Sequence, residues 1–186
     1  MSKAKHLPGR FILTLVLLAM LCAGLTGCVG KRASSALQEP ARPLVVSGEA
    51  AQRLAQRLSA ALNRDGPFTV EVNEQELTSF LAREFEGQML DQVRVWITPE
   101  GLNATVRLRA ENESHVIRGL LYITSNDGAL KVQARWATYD GFRLPRFVLS
   151  SFEQMANASA GDALLPYVFT GVAYGDGSLT LSGQVR

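Results

Sequence analysis

From about residue 92 to 140 the chain alternates apolar and polar side chains with period two, and no other feature constrains its fold as much. Val93, Val95 and Ile97 alternate with Arg94, Trp96 and Thr98. After Pro99-Glu100-Gly101, Leu102, Ala104, Val106, Leu108 and Ala110 alternate with Asn103, Thr105, Arg107, Arg109 and Glu111. Such runs form strands with one face on a core and the other outward. His115 to Ser125 is apolar at both parities and reads as a central strand. Asn126-Asp127-Gly128 is a hairpin signal, followed by Leu130, Val132, Ala134 and Trp136 in alternation. Connections this short predict a four-strand antiparallel meander.

Helical patterns flank the meander. Ser47 can cap a helix over about 48–64 with Leu54, Leu58 and Leu62 on one face, and Gly66-Pro67 ends it. Phe68, Val70 and Val72 form a short strand. Asn73 is an N-cap with Glu76 at N3, and Val72 can staple onto Leu77, starting a helix over 74–86 striped with Leu77, Phe80, Leu81 and Phe85. Gly141 to Pro145 leads into a helix of about 145–160 with Val148, Leu149, Phe152, Met155 and Ala156 buried, and Tyr167–Tyr174 and Ser178–Val185 are two further strands. The order αβα, four strands, α, two strands is that of an α+β domain with an antiparallel sheet, over residues 47–186.

The amino terminus is an address. Residues 1–10 hold three cations, and residues 11–27 are apolar or small without a charge. That is the layout of a secretory signal, and Leu25-Thr26-Gly27-Cys28 resembles a bacterial lipobox. Cleavage is expected between Gly27 and Cys28, with a diacylglyceryl group on the Cys28 thiol, making 1–27 a lipoprotein signal peptide. The competing reading is an uncleaved membrane anchor with an incidental cysteine. Cys22, the second cysteine, leaves with the signal, so no disulfide is expected. Residues 28–46, with Pro40 and Pro43 and no periodic face, read as a lipidated flexible tether reaching roughly 25 Å. The implied location is extracytoplasmic and membrane-anchored, on the outer face of the cell membrane or in an outer membrane. Without the three cations of the signal the rest carries one net negative charge, which gives no electrostatic case for nucleic acid.

Chemistry-bearing patterns are scarce. Outside the signal the one histidine is His115, and there is no zincin, nucleophile-elbow, P-loop or dinucleotide motif. Neither Gly175-Asp176-Gly177 nor Asn126-Asp127-Gly128 continues into spaced calcium ligands. No enzyme activity, cofactor or metal is expected; a hydrolase would need a Ser/acid cluster around His115. Arg94, Arg107, Arg109 and Arg135 take polar strand positions, with Arg118, Arg143 and Arg146 nearby. An aligned basic stripe would meet anionic headgroups, although a solvated face offset by neighbouring acids is the commoner use of such residues.

Three stretches carry a family resemblance: Val70 to Leu81, a strand running into a capped helix; Gly141-Phe142-Arg143-Leu144-Pro145 before a helix with Asn157; and Gly175 to Gly183. They resemble the short bacterial envelope proteins of the YpmS-like/LmeA-like branch of the tubular lipid-binding (TULIP) superfamily, over roughly 68–186. The resemblance implies a curved antiparallel sheet of about six to seven strands packed on or wrapped around a long helix. The helix of 145–160 would then lie in the concavity, and Phe80, Phe85, Trp136, Phe142, Phe152 and Phe169 would line an apolar groove. The expected function is binding of a lipid or other apolar ligand there, with Phe152→Glu abolishing uptake and sparing helical content. The alternative is a structural or assembly lipoprotein whose partners are other envelope proteins.

Overall fold

A computed structural model describes residues 42–86, 90–110, 113–163 and 166–185. The signal, Cys22 and Cys28 lie outside the described residues. Helix α1 (Gly48–Leu62) opens on Ser47, whose Oγ accepts from the Ala50 N–H, and leads to β1 (Pro67–Asn73). Helix α2 (Glu74–Glu84) begins with a complete capping box: the Glu76 N–H donates to Asn73 Oδ1 at 2.8 Å, and the Glu76 carboxylate accepts from the Asn73 N–H. Strands β2 (Leu90–Thr98), β3 (Gly101–Ala110), β4 (Glu113–Asn126) and β5 (Ala129–Tyr139) are the predicted meander, with β4 in its interior. A two-residue strand β6 (Phe142–Arg143), helix α3 (Arg146–Ala163), β7 (Tyr167–Tyr174) and β8 (Ser178–Val185) complete the order.

The fold is α+β with antiparallel sheets, but there are two of them rather than one of six to seven strands. One is five-stranded, β2-β3-β4-β5-β6; the other is three-stranded, β1-β8-β7. The division arises because β1 pairs not with its neighbour in sequence but with β8, Val70 opposite Leu181 and Val72 opposite Leu179. Phe68, Val70 and Val72 of β1, Phe169 of β7 and Leu179 and Leu181 of β8 face the alternate core positions of the five-stranded sheet, among them Val95, Ile97, Val106 and Ile117. Close approach is needed where β8 passes β1: a Cβ on Gly183 would stand 2.7 Å from both the Phe68 ring and the Val168 carbonyl oxygen.

Helix α3 does not lie in a concavity wrapped by the sheet. It runs beside β5, with Leu149, Phe152, Ala156 and Ala160 in the core. Its side chains also close the open edge of that strand. Asn157 Oδ1 accepts from the Val132 N–H at 2.7 Å, and its Nδ2 donates to the Val132 carbonyl. Glu153 accepts from the Ala134 N–H at 2.7 Å, and Arg146 donates to the Ala134 carbonyl. Helix α2 does the same at the opposite edge. Thr78 Oγ1 accepts from the Val95 N–H at 3.0 Å and donates to the Val95 carbonyl, while Glu74 accepts from the Ile97 N–H. Unpaired edge groups otherwise recruit other chains or stand unsatisfied in the interior.

The expected boundary between tether and domain falls at Ser47, yet Arg42, ahead of it, already contacts the fold. Its guanidinium bonds to Asp176 in the β7–β8 turn and to Glu74 at 3.1 Å, and its carbonyl accepts from the Trp96 indole at 3.3 Å. One core, both sheets and both edge closures are thus built from the described residues between 42 and 185.

Candidate functional site

The interior is not completely filled. Where α1 and α2 cross the junction of the two sheets there is a cavity of about 70 Å³, and the fourteen described residues around it are all apolar. Leu54 and Leu58 of α1, Leu77 and Phe80 of α2, Ala104 of β3 and Ile123 of β4 sit around it, with β1, β2, β5 and β8 also contributing. The heptad-like leucines of α1 and the capped stripe of α2 point there because each helix has one apolar face, and the inward parity of the meander supplies the opposite wall. A void with no polar partner stays dry and suits small apolar matter; an engineered apolar cavity of about 150 Å³ takes up benzene. The present one is below the roughly 300–1,000 Å³ of sites that enclose a drug-sized ligand, so it fits a slender apolar segment.

The α1–α2 pair above the cavity is held by charge. Glu76, nearly buried, is bonded by Arg57, and Arg53 lies 3.8 Å from its other oxygen. These arginines remain half in water, so the pair joins the two helices without two fully desolvated ions.

Of the six aromatic residues expected to line one groove, only Phe80 reaches this cavity. Phe85 is half-buried at the end of α2 and packs against the core. Phe152 is enclosed in the core on α3, and Phe169 packs edge-to-face on Phe68 with ring centroids 5.9 Å apart. Trp136 points to the outer face of the five-stranded sheet opposite Leu120, and Phe142 on β6 is exposed. The structure therefore scatters the six over core, outer face and surface. Apart from Phe80 the described cavity walls are aliphatic, and the signal for them is the parity of the strands rather than aromatic content.

His115 does have an acidic partner. Its Nδ1 is 2.7 Å from Asp140 Oδ2, and its ring stacks on Tyr139 at 5.2 Å. The other ring nitrogen faces Glu113 at 3.6 Å, and among the described residues no hydroxyl is bonded to it. Asp140 also accepts from the Val116 N–H, while its own N–H donates to the Val116 carbonyl. Burial pushes the Asp140 carboxyl up, but the Val116 bond and His115 together hold it below the usual carboxylate range. The group clasps the β5–β6 turn to β4.

Tyr174 similarly ties the sheets together: its hydroxyl accepts from the Ile123 N–H at 2.6 Å and donates to the Ile123 carbonyl, with the ring stacked on Tyr122. Burial pushes its phenol up to about 12, against the opposing effect of the Ile123 bond. Among the described residues no three His, Cys, Asp or Glu side chains cluster as a metal site, and no helix is long and apolar enough to cross a membrane. No protein-family model matches the chain, and no curated protein matches its sequence.

Proposed function

We propose that this chain is a lipid-anchored extracytoplasmic protein, without enzymatic activity, that takes up a slender apolar ligand in the cavity beneath α1 and α2. An acyl chain of a lipid is the ligand class that fits best, and a single-module kinship with the tubular lipid-binding superfamily is part of the proposal. The observation that carries it is the all-apolar wall of the cavity. Burial of apolar surface at about 25 cal/mol per Å² would supply the affinity, with few directed contacts. A ligand longer than the cavity requires α1 and α2 to move apart.

The test is native mass spectrometry of residues 42–186 with an organic extract of the same sample. The expected result is a co-purified apolar mass, identified as lipid by the extract. Ala104→Val, which places two methyl groups in the cavity, should abolish that mass and raise the melting temperature by about 3 °C, as filling a void contributes about 1 kcal/mol. A clean apo mass that does not change on incubation with lipid vesicles would overturn the ligand reading. The anchor is tested separately: labelled palmitate should enter the wild-type chain in its bacterial host and not a Cys28→Ser variant.

A second reading, a structural or assembly lipoprotein that binds other envelope proteins, is favoured by Phe142 and Phe147. These are 43% and 65% exposed, one on β6 and the other in the first turn of α3. An apolar pair left in water beside a helix start is the kind of feature a protein partner covers.

A further inference from the structure

The registers of the five-stranded sheet bring scattered arginines into line. Arg94 on β2 is opposite Thr105 on β3, Thr105 opposite Arg118 on β4, Arg118 opposite Thr138 on β5, and Thr138 opposite Arg143 on β6. Arg94, Thr105 and Arg118 alternate with core positions, and the pairing carries the row on through the buried Thr138 to the exposed Arg143, so an Arg-Thr-Arg-Thr-Arg row runs across the outer face of the sheet. On one side lies the row Gln92, Arg107, Val116, and on the other the row Trp96, Asn103, Leu120, Trp136. None of the residues named in the three rows is acidic, and the one acid that adjoins them, Asp140 beside Val116, is bonded to His115. Arg107, Arg118 and Arg143 are exposed and have no acidic partner among the described residues. Beyond the tryptophan row, Arg135 sits 5.3 Å over the Tyr122 ring.

We propose that this outer face is a docking surface for an anionic phospholipid bilayer, a site separate from the cavity. The charge is local: the chain beyond the signal is near neutral, so the cations on this face are balanced by acids elsewhere, and the molecule has a polarity rather than a general basic character. Trp96 is buried beneath Arg42, but a row of arginines beside the half-buried Leu120 and Trp136 matches the headgroup zone, where cations meet phosphates and amphipathic rings sit at the boundary. The apolar run ahead of Arg42, expected at a membrane, would keep a bilayer within reach of the face.

The test uses residues 42–186, which lack that run, in co-sedimentation with vesicles of equimolar phosphatidylcholine and phosphatidylglycerol or of phosphatidylcholine alone. Binding is expected to the anionic vesicles, to be lost in high salt, and to be absent from the zwitterionic ones. Each arginine at such a surface is worth about fivefold, so the double substitution Arg118→Gln and Arg143→Gln should weaken binding about thirtyfold. Lysine at both positions should retain most of it. The charge-matched control Arg64→Gln and Arg83→Gln, on exposed residues of the α1–β1 loop and α2, should change it less than about twofold. Equal loss in both glutamine doubles, equal binding to both vesicle types, no binding to either, or capture by soluble heparin without capture by vesicles would each overturn the proposal.

Discussion

Thr78→Val should destabilise the domain by about 3 kcal/mol although valine has nearly the same shape as threonine. Thr78 is fully buried, and its hydroxyl is the partner of both the N–H and the carbonyl of Val95. The valine methyl can serve neither, and no neighbouring strand is available on that edge, since β2 is the first strand of its sheet. A buried backbone group left without a partner costs about 1–3 kcal/mol, and here there are two. Thr78→Ser keeps the hydroxyl and removes only a methyl, so it should cost about 1 kcal/mol. Urea unfolding of the three proteins measures the difference, and amide exchange at Val95 localises it. If valine and serine variants unfold at the same urea concentration, the hydroxyl does not close the edge.

That edge shows where the sequence is legible and where it is not. Local signals translated directly: the Asn73–Glu76 box sets the start of α2, and Asp127 and Gly128, both at positive φ, make the two-residue turn between β4 and β5. Asp140-Gly141 makes the same kind of turn, with φ values of 48° and 82°. In the sequence it merges with the approach to the helix that follows, because the two-residue β6 is too short to show a period. Long-range pairing was not legible. Nothing local in Pro67–Asn73 announces that its partner is β8 rather than the meander, so the sequence pattern does not separate the two sheets. Neither Thr78 nor Asn157, although Asn157 is part of the family resemblance, is marked in the sequence as an edge-closing residue, since a side chain that replaces a missing strand has no sequence period of its own. The cavity is not legible for a related reason: it falls where the apolar faces of α1, α2 and the meander fail to meet completely, and aromatic content does not mark that place. Arg42 was assigned to a tether by composition, and only the fold brings Glu74 and Asp176 to it.

Phe152→Glu should leave the domain unfolded at neutral pH, helical content included, instead of emptying a groove in an intact protein. Phe152 is 8% exposed and sits in the same core cluster as Leu149, Ala156 and Val132. Removing its ring costs about 3–5 kcal/mol in a core of this kind. An ionised carboxylate in its place adds several kcal/mol more unless a cation reaches it. The nearest arginine on the helix, Arg146, is already committed to Glu153 and the Ala134 carbonyl. The two costs together, about 6–10 kcal/mol, are as large as the whole stability of many domains of this size, roughly 5–15 kcal/mol. Phe152→Leu, which keeps an apolar side chain of comparable bulk, should cost no more than about 1.5 kcal/mol. Circular dichroism and thermal melting distinguish the cases: loss of the helical signal and of the cooperative transition in the glutamate variant alone is expected. A glutamate variant that melts with the wild type would mean that Phe152 faces solvent or a roomy groove, and that α3 is not fastened to β5 as described. The comparison thus decides whether α3 is a structural wall of the core or the inner lining of a ligand site.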